Sequence, residues 1–316
     1  MKADTMHMTG HIRKILTLTL LTILVSAGPG WAAGNAATSG NELSIGRAVV
    51  LGVVEGLTEY LPVSSTGHLL VAKEMMGMGG DGQVQSAINA YIVVIQFGAI
   101  LAILVICLKR FMLLYRGIFQ GDAAGRKLMA NLILAFLPAV VIGLALEDQI
   151  KGRLFGTYPV IVGWVVGGIV ILVFTYIFRQ RSRDLHQGKS LEEISWRMAL
   201  FIGVAQCFAM WPGVSRSLAT ILGGLFMGLS MAGAVEFSFL LGAVTLSAAS
   251  FYDVLKHGPE MVHVFHLSSM TLGLLSAFAS AVLSVRWMVG YLNRYGLTLF
   301  GYYRIAIAIV AMWLLV

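Results

Sequence analysis

The stretch GLTEYLPVSSTGH, Gly56 to His68, decides how this chain folds. It lies inside an apolar unit, residues 44–76, yet it carries a carboxylate, hydroxyls, an imidazole and Pro62. Proline removes a backbone donor and pushes the preceding residue out of helical geometry, so the unit reads as two short helices meeting at a break. Non-helical backbone at membrane depth survives only where protein shields it or a water-filled cavity receives it. The unit is therefore expected to be a re-entrant hairpin that enters and leaves on one side of a membrane. A second apolar unit, 197–229, is broken by Pro212-Gly213 and carries the same expectation.

The rest of the chain supplies the membrane context. Of 316 residues, 58% are hydrophobic and 12% charged, where soluble domains carry roughly a quarter charged residues. Unbroken apolar units at 84–108, 128–147, 157–178, 232–254, 267–289 and 297–316 complete one integral domain over 44–316. The fold class is all-α and polytopic. The net charge of +7 sits in short loops, which reads as a topology signal and excludes a nucleic-acid surface. Cys107 and Cys207 lie in apolar segments with neither disulfide nor metal spacing. Residues 1–33 read as a signal peptide, or as a signal-anchor-like leader, from a basic start, a short apolar run and small residues near Ala32-Ala33.

The two broken units are copies. GVVEGLTEYLPVSST from Gly52 aligns without a gap on GVAQCFAMWPGVSRS from Gly203, placing Glu55 on Gln206, Ser64 on Ser215, Ser65 on Arg216 and Thr66 on Ser217. QFGAILA from Gln96 resembles LLGAVTL from Leu240. Each half, about 44–178 and 197–316, is thus a re-entrant helical hairpin plus three transmembrane helices. Three spans reverse the second copy, an inverted-topology repeat whose broken elements meet near the midplane. Basic residues agree: Lys109, Arg110, Arg116, Arg126 and Lys127 fall in one loop, and Arg179, Arg181, Arg183, Lys189 and Arg197 in another. With both loops cytoplasmic, the first hairpin opens outside.

The chemistry sits where the copies meet. Glu55 and Glu59, at i,i+4, share one helical face. Ser64, Ser65 and Thr66 stand at the start of the returning helix, with His68 in its first turn. Free N–H groups and the positive dipole end there suit a phosphate. Ser64 or Ser65 serving only as a helix cap is the plainer reading. Ser215, Ser217 and Thr220 repeat the hydroxyls in the second hairpin, and Arg216 adds a bidentate cation whose insertion costs about 2.5–3.5 kcal/mol. Two carboxylates beside phosphate need a proton or a cation. A divalent metal, Mg or Ca, on Glu55 and Glu59 is one solution; general acid–base work by one of them is the other. Neither cysteine has an arginine six positions on, and no HExxH occurs, so soluble phosphatase patterns are absent.

EGLTEYLPVSSTGH and PGVSRSLATILGG resemble the two signature motifs of the bacterial undecaprenyl-diphosphatase family, also called bacitracin-resistance proteins. The resemblance covers about 44–316, with Gln96, EFSFLL from Glu236 and YYRIAIA around Arg304 fitting the same pattern. It implies hydrolysis of undecaprenyl diphosphate to undecaprenyl phosphate and phosphate in the bacterial inner membrane, recycling the lipid carrier of peptidoglycan synthesis. Catalytic roles carry over to Glu55, Glu59, Ser65, His68 and Arg216, and phosphate binding to Ser64, Thr66, Ser215, Ser217 and Thr220. In the expected mechanism Ser65 attacks the terminal phosphorus and His68 or Glu59 takes its proton; direct attack by water is the variant. Expected partners are the polyprenyl diphosphate lipid, the bilayer and a second copy of the chain. The alternative is a polyprenyl-phosphate flippase or transporter, since inverted repeats with broken helices are also transporter architecture. Outside the motifs, Arg304 is expected to pair with Glu236, and Arg47 to snorkel or neutralise the acidic pair. His257, His263 and His266 read as a solvated loop, and GWVVGG from Gly163 as a close helix contact.

Overall fold

Serine caps and glycine turns divide the chain into helices. The structure, a computed structural model, describes residues 43–78, 82–154, 156–178 and 187–316. The expected leader lies outside these residues, as do Arg179, Arg181 and Arg183 and the side chains of His257 and His263. The described residues form α1 (Ile45–Thr58), α2 (Ser65–Met75), α3 (Gln83–Ile106), α4 (Leu108–Phe119), α5 (Ala123–Leu154) and α6 (Thr157–Ile177). There follow α7 (Trp196–Cys207), α8 (Arg216–Phe226), α9 (Met231–Val264), α10 (Leu267–Tyr295) and α11 (Thr298–Leu315). Ser44 caps α1 through Arg47 N, and Ser195 caps α7 through Met198 N. Asp122 accepts from Ala124 N and Gly125 N to start α5.

Six segments are long and apolar enough to cross a membrane: Ser86–Ile106, Ala123–Leu146, Thr157–Ile177, Met231–Leu255, Leu267–Tyr295 and Thr298–Leu315. The protein is an all-α, multi-pass membrane protein, and these are the six unbroken units of the sequence. The two remaining units are broken pairs. α1 and α2 are separated by Glu59 to Ser64, and α7 and α8 by a short 3-10 turn, Phe208–Met210, and the residues up to Ser215. One expectation changes. The basic stretch after residue 108, read as a loop, begins with α4. Leu114 and Gly117 of α4 are buried, while Leu108, Met112, Tyr115 and Phe119 are exposed along another face.

Packing crosses between the halves. α1 lies along α10, α3 along α9 and α10, α5 along α7, and α6 along α11. Lipid tails are as apolar as leucine, so helices in a bilayer associate through small residues and interhelical hydrogen bonds. The α1–α10 contact has both. Gly52 and Gly56 sit where a methyl group would overlap α10. On α10, Ser276, Ser280 and Ser284 donate to the carbonyls of Val49, Gly52 and Leu57, at 3.3, 3.4 and 2.8 Å. This seam fixes α1 against α10, one turn before Glu59.

Polar groups outside the breaks pair differently from expectation. Glu236 takes a fork from Arg110, at 2.7 and 3.0 Å, and Arg110 also reaches Glu192 at 2.6 Å. Glu236 is therefore not the partner of Arg304. Opposite charge within the membrane suggests that pair, but α4 brings Arg110 to Glu236. Arg47 donates to Met76 O at 3.1 Å, tying the start of α1 to the end of α2.

Candidate active site

The two breaks share a backbone conformation. Ser64 (φ 72, ψ 100) and Ser215 (φ 79, ψ 117) are the non-glycine residues with positive φ among the described residues. Such a residue costs on the order of 1–3 kcal/mol and persists only where its surroundings over-determine it. Each serine immediately precedes a returning helix, so α2 starts at Ser65 and α8 at Arg216. Both helix N-termini, with their free first-turn N–H groups, are thereby held at the junction of the hairpins.

Between them lies a buried cluster. The N–H of Glu59 bonds Glu55 O at 2.9 Å, so the carboxylates follow one another on the last turn of α1. Ser65 Oγ donates to Glu59 Oε2. Arg216 Nη2 donates to Glu59 Oε1 at 3.1 Å and Nη1 to Ser238 O at 3.0 Å. Glu59 thus takes the hydroxyl of one half and the guanidinium of the other. Arg216 lies over the Tyr60 ring, 5.6 Å from its centre, and against Gly242, where a methyl group would overlap the guanidinium. Several buried atoms here have no hydrogen-bond partner: both oxygens of Glu55, Tyr60 Oη and Arg216 Nε. Orphaned buried polar atoms are rare in folded proteins. Two unmet donors and an unmet carboxylate in one cluster describe a place for a polar ligand.

The sequence-predicted residues divide by position. Glu55, Glu59, Ser65 and Arg216 come together. Ser217 Oγ donates to Leu61 O at 2.8 Å, joining one hairpin to the backbone of the other. Ser215 Oγ accepts from Leu218 N at 3.3 Å as a cap, and Thr220 Oγ1 lies 2.7 Å from Ser238 Oγ. These hydroxyls brace the Arg216 turn. Ser64 is buried at the turn, and Thr66 is exposed. His68 stands apart from the Ser65–Glu59 contact. Its Nδ1 meets Ser64 O at 2.7 Å, and its Nε2 meets Tyr303 Oη at 2.8 Å. A carbonyl only accepts, so Nδ1 carries a proton, and in the neutral ring the Tyr303 hydroxyl donates to Nε2. Tyr303 lies in the YYRIAIA segment, where the sequence alone assigns it no role. A tyrosine one helical position before an intramembrane arginine was the available signal.

The family model described as "Bacitracin resistance protein BacA" matches residues 48–310. The chain belongs to the BacA family. It is 42% identical over 84% of its length to the undecaprenyl-diphosphatase of Sorangium cellulosum, covering 85% of that protein. It is equally 42% identical to undecaprenyl-diphosphatase 2 of Rhodospirillum rubrum and 39% identical to the undecaprenyl-diphosphatase of Nitrosomonas europaea, covering 93% of each. The BacA match contains both breaks, the junction and α11 up to Val310.

The acidic pair of this BacA-family chain tests the expected divalent cation. Glu55 fits: it is fully buried, both oxygens lack a donor, and hard cations take carboxylate oxygen. Glu59 fits less well, because Arg216 and Ser65 occupy its oxygens. Among the described residues no cluster of three His, Cys, Asp or Glu side chains adds further ligands, so substrate oxygens would have to complete the shell.

Proposed function

We propose that this chain hydrolyses undecaprenyl diphosphate to undecaprenyl phosphate and inorganic phosphate, returning a lipid carrier to envelope polymer synthesis. The contact of Ser65 Oγ with Glu59, itself held by Arg216, carries this reading. It joins a nucleophile, a base and a phosphate-binding cation in one buried cluster within a membrane protein, where a polyprenyl tail can remain in lipid. The matched relatives bear the name of the same activity.

Glu59 withdraws the hydroxyl proton as Ser65 Oγ forms a bond to the terminal phosphorus. The bridging P–O bond breaks, and undecaprenyl phosphate leaves with its electron pair. Arg216 and the N–H groups at the starts of α2 and α8 hold the equatorial oxygens as charge shifts among them. Glu59 passes that proton to the departing phosphate; water then attacks the phosphoserine as Glu59 takes a proton from it and returns one to the leaving Ser65 oxygen, releasing phosphate and restoring the hydroxyl. A divalent cation on Glu55 would neutralise diphosphate charge when bound. Glu59 takes the base role expected of His68 or Glu59, since both ring nitrogens of His68 are engaged elsewhere. The clustering of basic residues supports an inner-membrane protein whose first hairpin opens toward the periplasm.

Phosphate release from undecaprenyl diphosphate by purified protein in detergent tests the assignment. Wild type should release phosphate, and Ser65→Ala and Arg216→Lys should lose nearly all turnover. Absence of release in wild type would favour a flippase, which breaks no bond. Full turnover in Ser65→Ala would replace the serine with directly attacking water.

A further inference from the structure

Four successive carbonyls of the first break each meet a side-chain donor; Leu61 O and Ser64 O also accept from the N–H groups of Val63 and His68, whereas Pro62 O and Val63 O have side-chain donors alone. Leu61 O accepts from Ser217 at 2.8 Å, Pro62 O from Arg304 at 3.1 Å, Val63 O from Trp164 Nε1 at 2.8 Å and Ser64 O from His68 Nδ1 at 2.7 Å. An unmet backbone carbonyl in lipid costs several kcal/mol, so this donor set is a condition of the break existing. One of the donors does more than the others.

Arg304 is fully buried. Its Nη1 donates to Pro62 O, while Nη2 donates to Gly213 O at 2.6 Å and Gly163 O at 2.9 Å. Nε reaches Trp164 O at 3.4 Å. Among the described residues it has no carboxylate partner. Pro62 and Gly213 occupy the same place in the gapless alignment of the two breaks. Ser65 lies three residues beyond the first, and Arg216 three residues beyond the second. Gly167 sits where a methyl group would overlap this guanidinium, as Gly242 does for Arg216.

We propose that Arg304 is a positioning residue that clamps equivalent carbonyls of the two breaks and so sets Ser65 against Arg216. The proposal rests on the reading of Ser65, Glu59 and Arg216 as the reacting cluster. The planar fork is essential to it. A guanidinium presents five donors in one fixed frame, whereas a lysine ammonium is a point charge with three. The competing role for a buried cation, attraction of the anionic substrate, depends on charge and not on the fork. That separates the two in kinetics: misplacement of reacting groups lowers kcat, and lost attraction raises KM.

The test measures kcat and KM for undecaprenyl diphosphate in detergent, beside thermal unfolding of each variant. Arg304→Lys keeps the charge and should lose kcat by about 10²-fold, the scale of a 1 Å misplacement, with KM near wild type. Gly167→Ala, which displaces the guanidinium but retains it, should shift kcat in the same direction by a smaller factor. It also decides the matter if Arg304→Lys does not fold. Wild-type kcat in either folded variant, or a rise in KM alone, would overturn the proposal. Ser65→Ala in parallel keeps the outcomes distinct: its full activity would remove the underlying reading, whatever Arg304→Lys does.

Discussion

The first break carries two glutamates, a serine and an orphaned tyrosine hydroxyl; the second carries Gln206, Met210, Arg216 and Trp211 at the aligned positions. Their backbones nevertheless turn alike, with φ 72 at Ser64 and 79 at Ser215. The backbone turn and the chemistry are thus separable. The turn requires proline or glycine, a strained serine and external donors for its carbonyls. The proposed chemistry requires only that one break carry the acidic residues and the other the basic one. Glu55 against Gln206 shows the divergence at a single position. Both are buried, and among the described residues Gln206 Nε2 and both Glu55 oxygens are unmatched, but Gln206 Oε1 accepts from Thr245 at 3.3 Å.

If the chemistry belongs to the first break and the anchoring cation to the second, substitutions at aligned positions should differ sharply. The largest difference is expected between Glu59 and Met210. Glu59→Gln removes the base and should lower turnover by about 10²–10⁴-fold, the usual worth of general base catalysis. Met210→Leu should leave turnover near wild type, and equal losses at the two positions would erase the distinction. Next comes Gly242→Ala, which pushes the Arg216 guanidinium from its bed and should lower phosphate release by about 10²-fold. The smallest effect compares the turns themselves. Ser64→Gly relieves a positive φ, and Ser64 makes no side-chain cap bond, so the unfolding midpoint in detergent should rise, equivalent to about 1 kcal/mol. Ser215→Gly gains the same relief but loses the cap on Leu218 N and should show little change. Matching rises in both would show that the Ser215 cap contributes nothing.

Most of the architecture was legible because bilayers constrain sequences tightly. Long apolar units gave the spans, and proline inside an apolar unit gave the breaks. Glu59 and Arg216 stood out in the sequence because ionisable groups at membrane depth are costly without a use, and Ser65 because it starts the returning helix. Three features were not read. α4 resembles a loop because Lys109, Arg110 and Arg116 interrupt the apolar pattern of Leu108, Met112, Tyr115 and Phe119, whose spacing is helical. The position of His68 one turn into α2 suggests the pocket but not its partners, Ser64 O and Tyr303 Oη, which spacing alone does not reveal. Arg304 was paired with Glu236 by opposite charge, but its partners are backbone carbonyls, which every residue has and no sequence pattern marks.

The helix α4 carries a consequence for how the whole protein sits. One face rests on α5, with Gly117 against Gly125, and the exposed apolar stripe faces away from the protein. A helix of this kind floats at the boundary between headgroups and acyl chains. Because it is locked to Glu236 on α9 through Arg110, it works as a waterline painted on the hull. If the headgroup boundary follows that stripe, a change in bilayer thickness would load the Arg110–Glu236 tie before it reached either break.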